Sequence, residues 1–107
     1  MMKVRFLGEA SIEIEDDLNI LLDPHYENEP ELKPDLILVT HEHDDHFDMK
    51  IIDKFPEAEI YGPQSFFDEY DVEGTVVQSG ETIKDKIEVL DCDCYGSEGS
   101  VCYYYNG

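Results

Sequence analysis

Leu36-Ile37-Leu38-Val39 is apolar at every position, and this run restricts the fold more than any other stretch of the chain. Successive side chains of a strand point to opposite faces, so an unbroken apolar strand must be covered on both. Asp35 and Thr40 bound the run, whose short length fits a central strand. Strands and short helices are expected around it, which makes the class α/β (α+β).

Upstream, Lys3 to Leu7 reads as a strand, with Gly8 marking a turn or bulge. Ser11-Ile12-Glu13-Ile14-Glu15 alternates as a half-buried strand does, and Asn19 to Asp23 completes a hairpin after the Asp16-Asp17 turn. Pro24 to Pro34 is a polar loop. Downstream, Asp48 is suited to cap a short helix carrying Met49, Ile52 and Phe55 inward, and Pro56 ends it. Ala58 to Tyr61 predicts a strand, and Pro63 opens a second helix through Phe66, Phe67 and Tyr70. Short strands follow at Thr75–Val77, Thr82–Lys84, Lys86–Leu90 and Ser100–Tyr105, the last running into the turn dipeptide Asn106-Gly107.

Directly after the apolar run stands Thr40-His41-Glu42-His43-Asp44-Asp45-His46, which holds three of the four histidines. Open α/β sheets bind ligands beyond the carboxyl ends of their strands, where this segment begins. Neutral imidazole is the commonest side-chain metal ligand, and imidazole with carboxylate suits zinc and related divalent ions. An H-x-H pair leaving a strand end places two imidazoles on one side, and Asp45 and His46 follow as the chain turns. His41, His43, Asp45 and His46 are therefore the candidate metal ligands, for one site or for two adjacent ones. A solvated acidic loop would not concentrate histidines in this way.

Charge narrows the partners. The 107 residues carry 27 acidic and 7 basic side chains, a net charge of −20. Phosphate backbones and anionic membrane surfaces need clustered Lys and Arg, so neither nucleic acid nor membrane is expected as a partner. Hydrophobic residues make up 41% of the chain, too many for an acidic disordered tail. There is no apolar run long enough to span a bilayer and no secretion-type leader, so the expected location is cytoplasmic. Cys92, Cys94 and Cys102 are odd in number and read as reduced thiols rather than a disulfide framework.

The complete H-x-H-x-D-H motif at His41, His43, Asp45 and His46, framed by Asp35 to Thr40 and by Phe47-Asp48, resembles the metallo-β-lactamase-fold hydrolases. The nearest branch is that of ascorbate-6-phosphate lactonase-like proteins. Leu7-Gly8-Glu9-Ala10-Ser11 and Leu22-Asp23-Pro24 resemble the same branch in the same order. The resemblance implies the N-terminal half of an αββα sandwich: one single domain over residues 1–107, with one mixed β-sheet and short helices on one face. It implies His41 and His43 on a first metal and Asp45 and His46 on a second. The cofactor would be Zn2+, one or two ions, with Mn2+ or Fe2+ as alternatives. Asp45 would be the catalytic carboxylate and a small molecule the substrate.

The chain departs from the family pattern in having no histidine after His46, where the family brings a third to the first metal, and in having Glu9 where the branch often has histidine. Cys92, Asp93, Cys94, Glu9, Asp23 and His25 are the further ligand or neighbour candidates by their proximity to family site elements. Three readings stay open: a metal-dependent hydrolase acting on an ester, lactone or phosphodiester-type bond, a metal-binding or scaffold protein without catalysis, and an acidic interaction protein without metal. A sheet with helices on one face only leaves the other face to a homodimer or to a missing C-terminal half.

Overall fold

The computed structural model describes residues 2–8, 11–24, 30, 33–40, 50–91 and 101–105. Nine strands and two short helices are described in it: β1 (Lys3–Gly8), β2 (Ser11–Glu15), β3 (Asn19–Leu22), β4 (Leu36–Leu38), α1 (Lys50–Lys54), β5 (Glu59–Gly62), α2 (Gln64–Glu69), β6 (Thr75–Val76), β7 (Thr82–Ile83), β8 (Ile87–Asp91) and β9 (Val101–Tyr105).

A mixed six-stranded sheet runs in the order β1-β2-β3-β4-β5-β6. Its first two pairings are antiparallel and the other three parallel. At Gly8 the register with β2 shifts, and Gly8 has a φ of 106°, a conformation that only glycine adopts without strain.

The apolar run at β4 is covered on both faces, as its composition requires. Ile37 and Val39 point to one side and pack with Leu7, Leu21, Ile51, Ile60 and Phe66. Leu36 and Leu38 point to the other and pack with Ile20, Val77, Ile83, Ile87, Val89 and Val101. The two helices supply Ile51 and Phe66 to the first core. In α1 the fully buried residue is Ile51, with Ile52 and Phe55 packed against the cluster rather than leading it. Asp48 and Met49 lie outside the described residues. Pro63 occupies the N-cap of α2 in an extended conformation, one position before the helix starts.

The mixed sheet and its short helices match the reading from sequence, but the later strands do not join that sheet. Strands β7, β8 and β9 form a second, antiparallel sheet and lie over the face expected to stay open. Short alternating strands carry the same pattern whichever sheet they enter, so sequence alone does not separate them. The β7–β8 hairpin turns through Lys84 and Asp85, both at positive φ (53° and 60°), and Lys86 N–H closes it onto Ile83 O at 3.1 Å. Positive φ at both central positions matches the twist of the flanking strands.

The second sheet covers the middle of the first, reaches Ile14 of β2, which packs against its core, and leaves β1 exposed on that side. Val4 pairs with Ile14 and Phe6 with Ile12, so these four share the face of Ile20 and Leu38. Val4 is 58% exposed and Phe6 70%. On the opposite face of β2, Glu13 is buried, its carboxylate 2.8 Å from Arg5 Nε on the neighbouring strand. The alternation in β2 is real, but the acidic side is the better covered one.

Candidate functional site

Asp23 follows β3 in the left-handed region (φ 45°), which aspartate tolerates better than most residues. Its N–H donates to Leu38 O at 2.8 Å. Its carboxylate is buried and accepts two hydrogen bonds from Thr40, one from the backbone N–H at 2.8 Å and one from Oγ1 at 2.9 Å. Thr40 is the residue before His41 in the sequence.

From the second sheet, Val101 N–H donates to Thr40 O at 3.0 Å. Two residues along β9, the Tyr103 hydroxyl donates to Val39 O at 2.6 Å, with Tyr61 O at 3.4 Å. Burial pushes the Tyr103 phenol far above its ordinary value, and the negative charge of Asp23 adds to the shift. Val39 N–H donates to Tyr61 O at 2.9 Å. Beyond the last regular pair of β4, the backbone is thus tied to β5, to β9 and to the Asp23 side chain.

These residues define one rim of the molecule. Ile12 pairs with Leu22 and Leu22 with Leu38, so the start of β2 and the ends of β3 and β4 lie together. Gly8 pairs with Ser11 at that end, and Asp91 pairs with Val101 where β9 meets Thr40. The described residues that precede the candidate ligands in sequence are Gly8 before Glu9, Pro24 before His25, Thr40 before His41 and Asp91 before Cys92, and all four stand on this rim. Ser11 is buried there, and its Oγ has no hydrogen-bond partner among the described residues.

Of the ten site residues read from sequence, only Asp23 is described. Its carboxylate serves Thr40, which makes it a neighbour that shapes the strand end. His25, His41, His43, Asp45, His46, Glu9, Cys92, Asp93 and Cys94 lie outside the described residues. No group of three or more potential metal ligands occurs among the described residues. The donors that follow Thr40 in sequence, three imidazoles and a carboxylate, fit a divalent transition metal chemically. Sequence reasoning missed Thr40, Val101 and Tyr103 as site-shaping residues. The inward phase of Val101 and Tyr103 in the β9 alternation was the available signal.

At the opposite end of the inner strands, where β3, β4 and β5 begin, lies a groove of about 870 Å³ lined in part by Leu18, Lys33, Phe55, Glu59 and Lys84. Lys84 is paired with Glu59 there at 2.9 Å, so this groove is separate from the rim and has part of its charge internally matched.

The chain is similar to known proteins over most of its length. The Beta-lactamase superfamily domain matches residues 3–96. A UPF0173 metal-dependent hydrolase of Nanoarchaeum equitans is 32% identical over 99% of this chain and 49% of its own length. One from Pyrococcus furiosus is 34% identical over 97% of this chain and 56% of its own. The chain therefore spans about half the length of these relatives. Among solved structures, a protein of Parabacteroides distasonis assigned as a metal-dependent hydrolase superposes with a TM-score of 0.77 at 25% identity, over 95% of this chain and 54% of that one. A metallo hydrolase of Ignicoccus hospitalis shares the fold, with a TM-score of 0.74 at 17% identity, over 99% of this chain and 57% of that one. With the family domain matched over most of its length, and two packed sheets with helices outside the first, this chain belongs to the β-lactamase superfamily and carries about half of a metallo-β-lactamase fold.

Proposed function

We propose that the chain provides the metal-binding half of a metal-dependent hydrolase, with His41, His43, Asp45 and His46 as ligands of one or two Zn2+ ions or, in their place, Mn2+ or Fe2+. The observation that carries this reading is the pinned strand end at Thr40, immediately followed in sequence by H-x-H-x-D-H. When bound, the metal supplies Lewis-acid polarisation of the scissile bond and an acidified water. The residues of this chain hold and orient. The histidines donate neutral nitrogen, and Asp45 supplies a carboxylate able to bind the second ion or to accept a proton. The substrate is a small molecule with an ester, lactone or phosphodiester-type bond. The cytoplasm is the proposed place of action; separately, no helix among the described residues is long and apolar enough to cross a membrane.

The test is hydrolysis of a panel of lactone, phosphodiester and thioester substrates with zinc or manganese. Activity is expected to disappear on chelation and in Asp45→Ala. Activity surviving both would contradict the proposal.

A second reading, metal binding or scaffolding without catalysis, is favoured by one observation: residues 91–96, where the family brings a third histidine to the first metal, hold none. Metal uptake with no turnover on any of the panel would select it. An acidic interaction protein without metal is the third, and it has only the net charge of −20 in its support. For assembly we propose that the Val4–Phe6 side of β1 and β2 is covered in the functional protein, by a homodimer or by the C-terminal half of the fold.

A further inference from the structure

The peptide group joining Val39 to Thr40 is held at both of its edges. Its carbonyl oxygen accepts from Tyr103 of the second sheet, and its N–H donates to Asp23 at the end of β3. The next carbonyl, that of Thr40, accepts from Val101 of the same strand as Tyr103. Hydrogen bonds at both edges restrain the rotation of that peptide plane, and with the bond to Thr40 O they restrain the direction in which the chain leaves Thr40. The Tyr103 ring packs against the inter-sheet core, so an apolar side chain of similar size would fill the same space. The polar link to Val39 is made by the hydroxyl, which phenylalanine lacks.

We propose that Tyr103 is a positioning residue for the metal centre. Its hydroxyl fixes the Val39–Thr40 peptide from across the inter-sheet core and thereby sets how well His41 and His43 meet a metal. This rests on the reading of residues 41–46 as ligands. Groups that orient metal ligands without touching the ion typically alter affinity by about 10- to 100-fold when removed. The neighbouring tyrosines act as internal controls. Tyr104 is exposed, and the Tyr105 hydroxyl binds Asp16 Oδ2 at 2.9 Å, at the far end of the strand from the rim.

The experiment measures Zn2+ affinity by chelator competition and the Co2+ absorption spectrum for wild type, Tyr103→Phe, Thr40→Val and Tyr105→Phe. Tyr103→Phe and Thr40→Val are expected to bind about 10-fold more weakly with altered Co2+ spectra, and Tyr105→Phe to match wild type in both. Wild-type affinity and spectrum in a folded Tyr103→Phe would overturn the proposal, as would an equal loss in Tyr105→Phe. If Tyr103→Phe fails to fold, Asp23→Ala, which takes away the acceptor of Thr40 N–H at the other edge of the same peptide, decides in its place: weakened binding supports the proposal and wild-type binding overturns it. Metal uptake by wild type no greater than by a His41→Ala/His43→Ala variant would instead defeat the metal reading itself.

Discussion

Asp23 and Tyr103, separated by most of the chain, bind opposite edges of the same peptide group, Asp23 at Thr40 N–H and Tyr103 at Val39 O. One comes from the end of β3 in the six-stranded sheet and the other from β9 in the three-stranded sheet. The two layers of the fold therefore meet in hydrogen bonds at the peptide just before the H-x-H-x-D-H motif.

Asp23 is expected to tolerate Asn better than Ala. An Asn side chain still accepts from Thr40 N–H, and its amide donates to a Thr40 hydroxyl that can turn to accept. Ala removes both bonds and places a Cβ-bearing residue without a compensating side chain at positive φ. Denaturant unfolding should show a loss below about 1 kcal/mol for Asp23→Asn and about 2–4 kcal/mol for Asp23→Ala. Small losses in both would mean that the carboxylate's bonds to Thr40 contribute little, and equal large losses that an amide does not replace the carboxylate.

Stability is expected to fall at alkaline pH because of Tyr103. Burial, reinforced by Asp23, raises the phenol in the folded state above its ordinary value of 10.0. A raised folded-state value means that the stabilisation is complete below the unfolded value and is lost as pH climbs from there toward the folded one. Each proton so linked steepens the loss by about 1.4 kcal/mol per pH unit. Unfolding curves above pH ~10 should be less steep in pH for Tyr103→Phe than for wild type. Parallel dependences would place the phenol in a more hydrated setting.

Added salt should stabilise the fold. Seven basic side chains cannot neutralise 27 acidic ones, and the described pairs with Lys84 and Lys86 lie at exposed positions, where ion pairs add little. Screening at molar salt relieves the remaining repulsion. A melting midpoint that rises by several degrees across a salt series is expected. A flat or falling midpoint would show that the acidic groups are too widely spread to repel.

The apolar side of β1 and β2 should drive association. Phe6 is 70% exposed beside Val4, Ile12 and Ile14, on the face that continues into the inter-sheet core. Sedimentation equilibrium at low micromolar concentration should show concentration-dependent assembly that Phe6→Ser weakens. Its stability cost should be within about 0.5 kcal/mol, because the side chain is mostly in water. A wild-type monomer that binds no hydrophobic dye would contradict this.

Much of the first sheet was legible because its signals are local. An unbroken apolar run at β4 needs cover on both sides, and the glycine at the end of β1 announces a bulge. What was not legible depends on tertiary register. Glu13 is buried because Arg5 lies opposite it across β1 and β2, and alternation alone cannot choose which side of a strand is covered. The β7–β8 turn was hidden because Lys84-Asp85 lacks the glycine or asparagine that usually marks positive φ. The candidate ligands His41, His43, Asp45 and His46 rest on the motif and lie outside the described residues. The grip of Tyr103 on Val39 could not be read from the sequence, since it requires knowing that β9 enters a second sheet.

The central claim, a metal centre built on the strand end that Asp23 and Tyr103 hold, is tested most directly by metal content after exhaustive dialysis, comparing wild type with His41→Ala/His43→Ala. The account expects divalent transition metal to remain with the wild type and to be lost from the double variant. Equal metal content in the two would contradict it.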